Sequence, residues 1–172
     1  MSNNTGTATI MVVDDTPENL NLLKDMLEGK GYRVLAFPNG RTALSAAAKK
    51  PPDLILLDIK MPEMDGFEVC EQLKADGILK EIPVLFISAL TDAEEKVKAF
   101  AAGGVDYVTK PFHFEEVNAR VEVHLDLRRM RQNLETSNQQ LRDLMEQKNR
   151  LLKVLDEELK WAGEMQRVLL TN

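Results

Sequence analysis

Cysteine, aromatic residues, long apolar runs and surplus positive charge are all scarce in this chain. A single cysteine, Cys70, among 172 residues has no partner for an internal disulfide. That fits a reducing, cytoplasmic setting. No apolar run approaches the roughly 20 residues that a bilayer-crossing helix needs, so no membrane partner is expected. The opening "MSNNTGTAT" has neither the basic nor the apolar region of a signal peptide. Residues 1–8 are expected to be a flexible polar tail. The formal net charge of −6 argues against non-specific nucleic-acid binding. The short basic cluster "LRRMRQ" has no aromatic interleaving and no reading motif, so no nucleic-acid partner is expected. The two histidines, His113 and His124, stand without an acid-rich box, and His124 reads as a helix-surface or packing residue. What remains is 44% hydrophobic and 29% charged, a globular composition with room for a long exposed helix.

A second set of absences divides the chain near residue 126. From Leu127 to Thr171 there is no proline, Gly163 is the only glycine and Trp161 the only aromatic residue. The segment 127–172 cannot easily build a compact core, but it carries a seam. Leu127, Met130, Leu134, Leu141, Leu144, Leu151, Leu155, Ala162, Met165 and Leu169 fall on alternating steps of three and four. Ser137, Lys148 and Glu158 fill the other seam positions. A second register through Met145, Leu152, Leu155 and Leu159 shares Leu155, which points to a stutter. Such a pattern predicts a parallel coiled-coil homodimer. A helix over 113–170 would be roughly 85 Å long, too long for a domain of this size to cover. Charge divides as well. Residues 128–172 hold 9 Lys/Arg against 7 Asp/Glu, a net +2, and the rest hold 13 against 21, a net −8.

Residues 9–126 alternate short apolar runs with amphipathic segments. "TIMVV" (9–13), "RVLAF" (33–37), "DLILL" (53–57), "PVLFI" (83–87) and "DYVT" (106–109) read as strands. Helical patterns run over roughly 40–49, 65–76, 92–102 and from 113 onward. The first helix follows Thr16 as cap, with Pro17 in its first turn and Gly29 or Gly31 at its end. Five β-α repeats predict an α/β fold, a parallel sheet with helices on both faces.

Asp58 interrupts the third apolar run where that run ends. Burying a carboxylate is costly unless a cation or hydrogen bonds accompany it. In a parallel α/β sheet, sites form beyond the carboxyl ends of the strands. There Asp14 and Asp15 follow the first strand, Asp58 ends the third, Ser88 ends the fourth and Lys110 follows the fifth. Three carboxylates together repel, and oxygen-only ligands suit Mg²⁺. The set fits a phosphoryl group carried on Asp58, with the metal and Lys110 neutralising its oxygens and Ser88 hydrogen-bonding to it. Each element alone has a plainer meaning. Adjacent acids often make a turn, Ser88 could cap the helix near Thr91 and Asp92, and Lys-Pro is commonly a loop.

The motifs "VVDD" (12–15), "LLDIKMPEMDG" (56–66), "FISAL" (86–90) and "DYVTKPF" (106–112) resemble the receiver domain of two-component response regulators. The resemblance covers about residues 8–126. It implies a five-stranded parallel sheet in the order 2-1-3-4-5, the flavodoxin-like arrangement. It implies that Asp58 accepts phosphate from a phosphohistidine on a histidine kinase or phosphotransfer protein. Asp14, Asp15 and Asp58 would hold magnesium, with the backbone carbonyl of Lys60 as a further ligand. Tyr107 matches the aromatic switch position, and the Lys110–Pro111 bond would be cis. On phosphorylation Ser88 would move toward the phosphoryl group and Tyr107 would turn inward, altering the surface of the fourth and fifth helices. The chain would then be a signalling phosphoprotein rather than an enzyme. Its only catalysis would be its own phosphotransfer and slow autodephosphorylation. The contrasting possibility is an aspartyl-nucleophile phosphate hydrolase, whose class usually carries Asp-x-Asp after the first strand. The ending "ELKWAGEMQRVLLTN" resembles the linker before PP2C-type (SpoIIE-like) serine phosphatases, with Thr171 where those carry proline.

Overall fold

The computed structural model describes residues 7–89 and 93–170. Through Arg128 these form one compact unit, and from Arg129 onward a second. In the first unit the strands are β1 (Thr9–Val13), β2 (Arg33–Phe37), β3 (Leu54–Asp58), β4 (Val84–Ser88) and β5 (Asp106–Thr109). The helices are α1 (Pro17–Glu28), α2 (Gly40–Lys49), α3 (Gly66–Ala75), α4 (Ala93–Ala101) and α5 (Phe114–Leu170), the last extending into the second unit. All strand pairs are parallel and the order is β2-β1-β3-β4-β5, as the resemblance implied.

Why the central strands read as unbroken apolar runs is plain from the packing. Successive side chains point to opposite faces of the sheet, and both faces are covered. Met11, Ile55, Leu57, Val84 and Phe86 pack on one side with Ala43 and Ala47 of α2, Val69, Cys70 and Leu73 of α3 and Ala99 of α4. Their alternates Ile10, Val12, Leu54, Leu56, Leu85 and Ile87 pack on the other side. There they meet Leu23 and Leu27 of α1 and Val117, Val121 and Leu125 of α5. Each fully buried Leu or Ile contributes about 1.5–3 kcal/mol, so this two-sided core dominates the unit's stability. Cys70 lies inside it, and burial pushes its thiol up to about 11.

Element ends follow from local chemistry. β3 and β4 each end one residue later than their apolar runs suggest, so Asp58 and Ser88 are themselves ladder residues. Thr16 is the N-cap of α1, but its side chain makes no capping bond. Instead Asp14 Oδ1 accepts the Thr16 N–H at 2.8 Å. α3 opens on a reciprocal pair: Asp65 Oδ1 accepts the Glu68 N–H at 2.9 Å, and Glu68 Oε2 accepts the Asp65 N–H at 3.0 Å. A short 3-10 turn, Leu79–Glu81, follows α3. Asp76 Oδ1 organises it by accepting the N–H groups of Ile78 and Leu79. Of the expected tail, residues 1–6 lie outside the described residues. Ala8 is already buried, and its carbonyl accepts the Arg33 N–H at 2.9 Å. The helix start near Thr91 and Asp92, Leu90 of the "FISAL" motif and Thr171 also lie outside the described residues.

In the second unit every described residue through Leu170 is exposed, the seam leucines included. Ion pairs one helical turn apart dress it: Arg131–Glu135, Arg150–Glu146 and Lys160–Asp156. Among the described residues no helix is long and apolar enough to cross a membrane.

Candidate functional site

Sheet order explains where the site must be. From β1 the chain winds outward to β2, then returns to lay β3 on the other side of β1. The crevice at the carboxyl ends of β1 and β3 is therefore where the winding reverses. Asp14, directly after β1, is fully buried there, and Asp58, the last residue of β3, is 4% exposed. Asp15 beside them is exposed. One carboxylate oxygen from each of the three lies within 4.8 Å of the others.

A single ammonium stands between the two buried acids. Lys110 Nζ lies 2.9 Å from Asp14 Oδ2 and 3.1 Å from Asp58 Oδ1. Its backbone N–H donates to the Ser88 carbonyl at 2.9 Å, which ties the loop after β5 to the end of β4. Burial pulls the ammonium toward neutrality, but the bond to Asp14 and the charge of Asp58 outweigh it, and Lys110 titrates above its ordinary value. Asp58 moves the opposite way from a simple ion pair. Burial, reinforced by the negative charge of Asp14, holds its carboxyl above the usual range despite Lys110. The group is thus an under-compensated anion: three carboxylates face one lysine.

Two neighbours shape the pocket without contributing charge. Asn19, in the first turns of α1, donates to Asp14 Oδ2 at 3.0 Å and to Oδ1 at 3.3 Å, which fixes that carboxylate's plane. The motif reading passed over Asn19, although its place five residues after Asp14 in a helix's opening turns was a usable signal. Gly66 is the other. A Cβ there would sit 2.3 Å from the Asp58 carbonyl oxygen and 2.8 Å from the Ile59 Cα. Only glycine lets α3 begin this close to the strand end that carries Asp58. Glu63 in the connecting loop takes a left-handed φ of 65°.

Other expected positions fall as follows. Ser88 is 2% exposed at the end of β4, in register with Thr109. The Lys60 side chain is exposed and reaches Glu95 at 4.0 Å. The Lys110–Pro111 peptide bond is cis. Tyr107 lies on β5 with its ring 6.2 Å from Phe100, edge to face. Lys96 Nζ is 4.8 Å from the ring centroid and the Arg120 guanidinium 5.9 Å.

Beside Tyr107 is a cluster that the motifs did not reveal. Asp106 pairs with Arg120 at 2.7 Å and with His124 Nε2 at 3.1 Å, both on α5. Burial raises the Asp106 carboxyl. The bonds from His124, the Tyr107 N–H and Arg120 more than reverse this and hold it below the usual range. No sequence signal joined these residues, because 14 and 18 positions separate the partners along the chain.

Known proteins share this fold. Residues 10–122 match the response regulator receiver domain. The chain is 36% identical over 160 residues to a probable cyclic di-GMP phosphodiesterase of Vibrio cholerae, covering 93% of this chain and 33% of that protein. A response regulator crystal structure from Chloroflexus aurantiacus superposes with a TM-score of 0.68 at 32% identity, over 70% of this chain and 99% of that one. The receiver domain of a Pseudomonas aeruginosa sensor histidine kinase, solved with a magnesium ion in its active-site cleft, gives 0.66 at 26%, over 70% and 99%. The chain spans between a quarter and a half of the length of the curated relatives it matches.

Proposed function

The chain belongs to the response regulator receiver domain family, and on that premise we propose that Asp58 is the phosphoryl acceptor of a two-component signalling switch. The observation that carries the proposal is the under-compensated anion: two buried carboxylates and an exposed third share one lysine. A purely structural cluster would gain nothing from leaving charge unpaired, since burying it costs several kcal/mol per ion.

The donor set fits Mg²⁺. Asp14, Asp15 and Asp58 offer hard oxygen ligands close together, and the Lys60 backbone carbonyl is the further candidate. Bound there, the ion would supply the positive charge that the carboxylates lack and that incoming phosphoryl oxygens require.

The residues then divide the work. Lys110 engages Asp58 at Oδ1. Asp58 attacks the phosphorus of a phosphohistidine on a histidine kinase or phosphotransfer protein. A P–O bond forms, the P–N bond breaks, and the imidazole leaves. Lys110 stays cationic throughout, since its ammonium titrates above the ordinary value, and it neutralises charge on the transferred group. Ser88 at the adjoining strand end supplies a hydroxyl to a phosphoryl oxygen, and its movement lets Tyr107 turn inward. The chain's own chemistry is confined to this transfer and a slow hydrolysis of the acyl phosphate.

For output, the similarity to the Vibrio protein extends past the receiver into the long helix. The reading is that residues 127–172 form a parallel two-stranded coiled coil that carries the state of Asp58 to an output domain. A phosphodiesterase like that relative and a serine phosphatase are the candidates. Neither a nucleic acid nor a membrane is part of the proposal. The test is direct. Acetyl phosphate or beryllofluoride with Mg²⁺ should modify one site per chain, and Asp58→Asn should abolish it. Rapid multiple turnover of small phosphate esters would instead identify a hydrolase and overturn the reading.

A further inference from the structure

The apolar stripe of α5 does not keep one width. In heptad terms, with Leu127 at a and Met130 at d, the flanking e and g positions of the first stretch are Arg131, Asn133, Asn138 and Gln140. All are polar, which is the pattern of a two-stranded seam. From Leu144 onward the flanks change. Met145, Leu152 and Leu159 occupy e, and Val154, Trp161 and Val168 occupy g. Gln147 and Gln166 are the only polar flanks, and no flank is charged. The apolar arc thus widens from two helical slots in seven to four, interrupted within the seam by Lys148 at a and Glu158 at d.

A two-stranded coil buries a and d and leaves e and g at its edges. It cannot cover this arc. Leu159 is 72% exposed and Trp161 71%. The opposite side settles which face meets water. Glu146, Arg150, Lys153, Asp156, Glu157, Lys160, Glu164 and Arg167 all fall at b, c and f. They pair among themselves, as in Arg150–Glu146 and Lys160–Asp156. Their charges cancel, four of each sign, so nothing draws this helix to an anionic lipid surface. A face of four slots that is apolar but for Lys148, Glu158 and two glutamines, has no charge at its edges and is continuous with the proposed seam suits more copies of itself. Closed symmetric assemblies are the usual solution for such a surface.

We propose that residues 144–170 form a four-stranded helical bundle, in which two coiled-coil dimers of this chain meet through the g-side residues Val154, Trp161 and Val168. This rests on the coiled-coil reading above. Its consequence is an assembly with four receivers, paired along the narrow seam and joined at the broad one.

The experiment is sedimentation equilibrium on the full chain, with Trp161 fluorescence as a second readout, because Trp161 is the only tryptophan. At tens of micromolar the mass should equal four chains, and emission should be that of a buried indole. The double variant Val154→Lys/Val168→Lys should halve the mass to two chains, shift emission to longer wavelength and leave helical content unchanged. Wild-type chains with a mass of two and a solvent-like Trp161 overturn the bundle while leaving the coiled coil standing. A mass of one overturns both. Four chains with solvent-like Trp161, or a variant that stays at four, also sinks the proposal, since the contact would then lie elsewhere.

Discussion

Residues 7–128 and 129–170 are both rich in leucine, yet they treat that side chain in opposite ways. Leu56 on β3 has no exposed surface, while Leu155, the least exposed large apolar residue of the second unit, keeps 45% of its own. The cause is geometry rather than composition. Five strands give the first unit two faces, each of which its own helices can cover. A single helix has only its own surface, and its apolar stripe is left exposed. The first unit therefore carries a core of its own, whereas the described residues of the second stay exposed.

That contrast can be broken by mutation. The largest effect is expected from Leu134→Glu with Leu141→Glu. Charges at two seam positions should remove self-association at tens of micromolar, read as mass by light scattering. The urea transition of the receiver should not move. A transition that moved with the mass would show that the two regions share their stability. Gly66→Ala should do the reverse. Its methyl group collides with the Asp58 backbone, so denaturant melts should register a loss of about 1–3 kcal/mol with association intact. Arg128→Ala should cost about 1–2 kcal/mol. Its Nη1 donates to the carbonyls of Pro52 at 3.0 Å and Asp53 at 2.6 Å, and the variant leaves both without that donor.

The smallest effect concerns acid stability. The Asp106 carboxyl is held below its ordinary value, so the folded unit releases that proton more readily than the unfolded chain. The resulting stabilisation is complete above the unfolded value, near pH 3.9, and fades as pH falls through the lower folded value. Asp106→Asn should therefore lower stability near neutrality by less than about 1 kcal/mol, because the partners are partly solvated. Its deficit should vanish in acid. Thermal melts across pH 3 to 7 would show whether the two curves converge.

Much of the receiver was readable because its signals are local. The β1, β2 and β5 runs and α2 match their observed limits residue for residue. β3 and β4 were placed one residue early. Apolarity marks the core, whereas Asp58 and Ser88 are polar residues held in the ladder by the strand beside them. The reciprocal Asp65–Glu68 cap was overlooked, although an acid three residues after a capping residue is a recognisable pattern. The 3-10 turn after α3 has no periodicity to detect and depends on one aspartate side chain. The site motifs name Asp14, Asp15, Asp58, Ser88 and Lys110. Their mutual distances, and the way burial and Asp14 together raise Asp58, exist only once the strands are side by side. The Asp106–Arg120–His124 group joins a strand to a helix that reaches it only after folding.

Arg128 bears on how this protein should be divided. Its guanidinium reaches the loop that begins β3, two residues beyond where the apolar pattern alone would end the domain. A fragment cut at Asp126 would discard that strap at the foot of the strand whose other end bears Asp58. Anyone grafting this receiver onto a new partner should therefore make the join after Arg128, where the compact unit ends.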